Sequence, residues 1–170
     1  ALHPHPALSL PKEGEGSSGA AMIAAGMREM IGRLNHVGVA VPSIEAAKAT
    51  YRDLYGVPES AITETRELPA QGVRFAFVNV ANSQIELIEP LGENSPILKF
   101  LERNPAGGQH HVCFEVTDIY AARDDMVRKG ATVLNEPRIG AHGTLIIFVH
   151  PKNSNGVLIE LMETPKGAHA

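Results

Sequence analysis

The sequence predicts an α+β protein of two tandem βαβββ modules whose curved sheets pair around a central cleft. Three observations lead there: an internal repeat, the same order of strand and helix signals within each copy, and a 170-residue chain that is 44% apolar and 20% charged. Residues 35–47 read NHVGVAVPSIEAA and residues 110–122 read HHVCFEVTDIYAA. At a constant offset of 75, His36/His111, Val37/Val112, Val41/Val116, Ile44/Ile119, Ala46/Ala121 and Ala47/Ala122 coincide. The copies also end alike, QIELIE at 84–89 facing LIELME at 158–163 at an offset of 74. Agreement at both ends of both copies marks a duplicated module of about 60 residues.

The elements follow in order. Residues 1–32, with Pro4, Pro6, Pro11 and a Gly/Ser/Glu-rich run, read as a disordered extension, and Met30 as a natural start. In the first module, 33–92, HVGVAV alternates as a half-buried strand does. Ser43 then caps a helix with Ile44, Ala47, Tyr51 and Leu54 on one stripe, ended by Gly56. A weak strand near 62–68 precedes VRFAFVNV and SQIELIEP. In the linker, 93–108, Ser95 and Pro96 open a short helix, proline suiting a first turn. The second module, 109–165, repeats the order: a strand at 111–116, a helix from about Asp118 to Lys129 ended by Gly130, and strands near 131–134, 145–149 and 157–162. Residues 166–170 form a tail.

Composition excludes several functions. A net charge of −4, no tryptophan and 5% aromatic residues provide neither the basic footprint nor the stacking platforms of a nucleic-acid binder. The longest apolar run, 20–27, is far below the roughly 20 residues of a membrane span, so no membrane partner is expected. One cysteine, Cys113, allows neither a disulfide framework nor a Cys-based zinc site. That composition suits a reducing compartment: the cytoplasm, or the mitochondrial matrix in a eukaryote.

Four residues occupy equivalent places in the two copies: His36 and His111 at the start of the first strands, Glu86 and Glu160 within the last. Each glutamate lies between apolar neighbours and shares its strand face with Ile88 or Met162. A carboxylate held in such a strand costs several kcal/mol unless compensated. A metal would compensate it, and two imidazoles with two carboxylates form an N/O donor set suited to cobalt, manganese, nickel or zinc. Taken singly, a strand histidine is a hydrogen-bonded side chain and a strand glutamate a solvated one; their pairing in both copies favours a site. His110 should lie on the opposite face from His111 and be structural, Cys113 should be a small buried residue, and His142 and His150 are loop side chains open to either a substrate or a solvent role. His3, His5 and His169 receive no role.

The doubled module with its His and Glu positions resembles the vicinal oxygen chelate superfamily, which includes glyoxalase I and the extradiol dioxygenases. IEPLGENSPILKFLERNPAGGQHHVCFEV, RIGAHGTLIIFVHPK and GVLIELMET narrow the likeness to its methylmalonyl-CoA epimerase family, over about 33–164. The resemblance implies a glyoxalase-like fold around one divalent ion, often cobalt, with His36, His111 and Glu160 as ligands and Glu86 where some relatives have Gln. It implies a racemase/epimerase of propionate metabolism, acting on an acyl-CoA through a metal-stabilised enolate, with Glu160 and Glu86 as bases, and a homodimer. Some bacterial relatives carry a proposed catalytic glutamate on the strand near Phe75; this chain has none there. Lys152, Arg74, Arg103 and Arg138 are the cations available to a CoA tail. The alternatives are a glyoxalase I-like lactoylglutathione lyase, an extradiol dioxygenase that would leave Glu86 without a ligand role, and a non-catalytic ligand-binding module of the same fold.

Overall fold

The alternation of HVGVAV becomes β1 (Leu34–Ala40), in which His36, Gly38 and Ala40 are buried. In the computed structural model, which describes residues 30–167, the chain continues through α1 (Ile44–Asp53), β2 (Arg66–Leu68), β3 (Val73–Val80), β4 (Ser83–Pro90) and α2 (Leu98–Arg103). The second half supplies β5 (Gly108–Val116), α3 (Ile119–Arg128), β6 (Arg138–Ile139), β7 (Leu145–Val149) and β8 (Ile159–Glu163). The predicted paired sheets are joined edge to edge, giving one curled eight-stranded sheet in the order β2-β3-β4-β1-β5-β8-β7-β6. Each half places its first strand beside its last in parallel, and β1 meets β5 antiparallel at the centre. The four equivalent residues therefore lie on four adjacent strands.

Each half of the sheet buries both faces. On one face α1 packs Ile44 against Ala76, Val78 and Leu87, and α3 packs Ile119 and Ala122 against Ile147 and Leu161. On the other face Phe75, Phe77, Ile88 and Ile97 form a cluster in the first half, and Cys113, Ile146 and Met162 one in the second. The strand period of two accordingly turns Leu87 and Leu161 to the helices and leaves Glu86 and Glu160 on the inner face.

The closing glutamates of the two repeated motifs are also explained. The Ile44 N–H donates to Glu89 Oε2 at 2.7 Å, and the Ile119 N–H to Glu163 Oε2 at 3.1 Å. Ser43 Oγ and Asp118 Oδ1 accept from the N–H groups of Ala46 and Ala121. Each module's last strand thus caps its own helix, satisfying otherwise orphaned donors at the positive end of the dipole. Glu163→Ala should lower the unfolding free energy by about 1 kcal/mol. A urea titration reads this, and an unchanged midpoint would contradict it.

Three elements differ from the sequence expectation. The strand expected near 131–134 is a single bridge, Val133 to Val149. Beyond it the Asn135 side chain takes the place of a main-chain ladder, accepting from the Phe148 N–H and donating to the Ile146 carbonyl, and Pro137 has no N–H to offer. The linker helix begins at Leu98, because Ser95 first turns the chain, its carbonyl accepting from the Leu98 N–H. The weak strand at 62–68 divides into an Ile62–Val78 bridge and the three-residue β2. Of the extension, 30–32 are described, with the Gly32 N–H donating to the Glu115 carbonyl. Residues 1–29 and 168–170, with His3, His5 and His169, lie outside the described residues.

Candidate functional site

The central position of β1 and β5, each flanked by its module's last strand, brings the four predicted residues together. His36 Nε2 and His111 Nε2 lie 3.2 Å apart. Glu86 Oε2 is 3.3 Å from both, and Glu160 Oε2 is 3.2 Å from His111 Nε2. All four are at least 95% buried. His36, His111 and Glu160 each offer one ligand atom within 4.8 Å of the others.

Room for this cluster is provided by Gly38. It sits opposite His111 across the β1–β5 ladder, and a Cβ there would collide with the His111 ring. Its equivalent in the second copy, Cys113, is the small residue opposite His36. Cys113 is the buried residue expected, its Sγ 3.6 Å from Glu160 Oε1. Burial and the neighbouring carboxylates push its thiol far up, which keeps it from acting as a nucleophile.

Burial and mutual charge oppose one another here. Burial drives the Glu86 carboxyl up, but hydrogen bonds from His111 and His36 outweigh it and hold it below the usual range. Burial dominates at Glu160, pushing that carboxyl up despite His111. His111 is lowered by burial and raised further by Glu86 and Glu160, for a net rise. Positive charge, as a proton or a cation, compensates the two carboxylates that converge here on two Nε2 atoms. This buried N/O donor set fits one divalent cation.

A β-bulge misled the sequence reading of His110. Gly38 pairs with His111 but Val39 with Gln109, so His110 is an extra residue in β5. Its side chain shares the cleft with His111 instead of facing away, and the two Nδ1 atoms are 3.0 Å apart. Burial, then His111, lowers its pKa to about 4, so it is neutral. Asn35, which sequence reasoning passed over, is the equivalent extra residue in β1, its Oδ1 2.8 Å from His36 Nδ1. The visible signal was the pairing of Asn35 with His110 at the same offset of 75.

The two loop histidines also resolve. His142 stacks on Phe77 at 4.4 Å and lies 5.6 Å from the His36 ring, a packing role against the cluster. His150 Nδ1 accepts from the Lys152 N–H at 3.0 Å and caps a single 3₁₀ turn. Beside the cluster opens a cavity of about 280 Å³ that Glu86, Glu160, His110 and His111 share with apolar walls such as Ile88 and Phe148.

The family model described as Glyoxalase/Bleomycin resistance protein/Dioxygenase superfamily matches residues 35–148. The ethylmalonyl-CoA/methylmalonyl-CoA epimerase of Cereibacter sphaeroides is 54% identical over 134 residues, 78% of this chain and 98% of that protein. The chain belongs to the methylmalonyl-CoA epimerase family. A crystal structure of methylmalonyl-CoA epimerase from Mycobacterium tuberculosis superposes with TM-score 0.72 at 34% identity, covering 86% of this chain and 99% of that one. A methylmalonyl-CoA epimerase in complex with methylmalonyl-CoA and NH4+ gives TM-score 0.70 at 35% identity, covering 79% and 95%.

Membership in the methylmalonyl-CoA epimerase family makes the chain an enzyme and sets aside the non-catalytic module. Of the four cations considered for a CoA tail, Arg138 lines the cavity. Arg74 is committed to Glu67 and Glu89, each at 3.1 Å. Among the described residues no helix is long and apolar enough to cross a membrane.

Proposed function

We propose that the protein interconverts the (R) and (S) forms of methylmalonyl-CoA by moving the proton at C2, acting as a homodimer in a reducing compartment. The observation that carries this reading is the convergence of two buried carboxylates, from opposite halves of the sheet, on two imidazoles beside an apolar-walled cavity. His36, His111 and Glu160 hold one divalent ion, cobalt favoured among cobalt, manganese, nickel and zinc, with Glu86 as the fourth donor.

Epimerisation removes a proton from one face of C2 and returns one to the other. A positioned base contributes about 10²- to 10⁴-fold, roughly 3–5 kcal/mol, too little alone for a carbon acid this weak. The ion, when bound, supplies the charge stabilisation that an enolate oxygen requires. Glu160, as ligand and base at once, is the first candidate base, and Glu86, from the other half, the second. The apolar walls take the C2 substituent and exclude water, and Arg138 at the same cavity suits the polyanionic tail. Proton NMR in heavy water on a single epimer of methylmalonyl-CoA tests this. The expected result is equal epimers with deuterium at C2; an unchanged spectrum, with turnover of the glutathione hemithioacetal instead, would replace the reading with a glyoxalase.

A further inference from the structure

We propose that Asn35 and His110 are paired positioning residues, each accepting a hydrogen bond from the Nδ1–H of the ligand histidine that follows it and so turning that ring's Nε2 lone pair onto the ion. The inference rests on the metal reading above.

In a regular strand, adjacent residues point to opposite faces and their side chains cannot meet. Both pairs meet here because both strands are bulged at this place. In β1, Leu34 lies opposite Phe114 and His36 opposite Cys113, leaving Asn35 as the extra residue; in β5 the extra residue is His110. The two bulges fall at equivalent positions of the repeat, offset by 75. The duplicated device is thus a bulge that brings a ligand and its orienting neighbour to the same side.

Hydrogen-bond direction follows from the partners. Asn35 Nδ2 donates to Glu115 Oε1 at 2.8 Å, so Asn35 Oδ1 faces His36 as acceptor and His36 Nδ1 must carry the proton. In the neutral ring that binds an ion, His36 Nε2 is then a lone pair. At the second pair, a proton donated by His110 would leave His111 protonated on Nε2, the atom that faces His36, Glu86 and Glu160. Only with His110 as acceptor is His111 Nε2 free to bind an ion. The His110 ring is seated edge-on against Phe100 at 5.3 Å, which fixes its direction. The two sides are not chemically equal: the Glu115 carboxylate stands behind the amide at His36, and a neutral ring behind His111.

The test is cobalt(II) affinity of chelator-stripped protein, by competition with a chelator of known strength, read from the cobalt d–d absorption band. Asn35→Leu and His110→Phe should each weaken binding about 10- to 100-fold. His110→Asn, which installs the side chain of the other copy, should restore most of the loss. On zinc-loaded wild-type protein, long-range ¹⁵N–¹H correlation of the imidazoles should show a proton on Nδ1 of His36 and His111, metal-shifted Nε2 atoms, and no proton on His110 Nδ1. Unchanged cobalt affinity in Asn35→Leu and His110→Phe, or a proton on His110 Nδ1, would overturn this proposal while leaving the metal reading intact. Failure of the wild type to take up any ion would overturn both.

Discussion

Glu160→Gln and Glu86→Gln should each reduce epimerisation by about 10²- to 10⁴-fold, the contribution of a positioned base. Glutamine keeps an oxygen where each carboxylate stood, so both variants should still take up a metal ion, while neither amide can accept the C2 proton. The two losses should differ in kind. The carboxylates come from opposite halves of the sheet, on β8 and β4, and the proposed mechanism assigns each its own face of C2. Deuterium exchange into one epimer should therefore fall preferentially in Glu160→Gln and into the other in Glu86→Gln. Unimpaired exchange of both epimers in both variants would refute the assignment.

His111→Ala should abolish metal uptake and unsettle the fold. His111 Nε2 touches Glu86, Glu160 and His36 at 3.2–3.3 Å. Its removal leaves two buried carboxylates facing a void with His36 alone. Leaving buried carboxylates without the ring and the ion that compensate them costs about 3–5 kcal/mol, a large share of the 5–15 kcal/mol that holds a typical domain together. The urea midpoint of the variant should fall markedly and its metal content reach zero. Stoichiometric metal after purification, or a wild-type midpoint, would contradict this.

The four central residues were legible because the internal repeat prints each of them twice, and because a period of two sets Glu86 beside Ile88 and Glu160 beside Met162 while Leu87 and Leu161 face the helices. The Ser43 cap was legible for a local reason: it acts on a donor three residues away. What escaped were departures from period. A bulge is invisible to alternation, so counting along β5 put His110 behind the sheet when its ring lies in the cleft. Asn35 escaped by the same slip. Asn135 replaces a strand with its side chain, a substitution that depends on the distance to β7. Gly38 and His142 depend on neighbours remote in sequence, His111 across the ladder and Phe77 on another strand.

In the proposed mechanism the buried cluster holds an ion that makes the C2 proton removable. Protein stripped by exhaustive dialysis against chelator, then given cobalt(II), tests it most directly with deuterium incorporation at C2 of methylmalonyl-CoA as the readout. Exchange should vanish on stripping and return with about one equivalent of cobalt per chain. Exchange at the untreated rate in protein shown to be free of metal would contradict it.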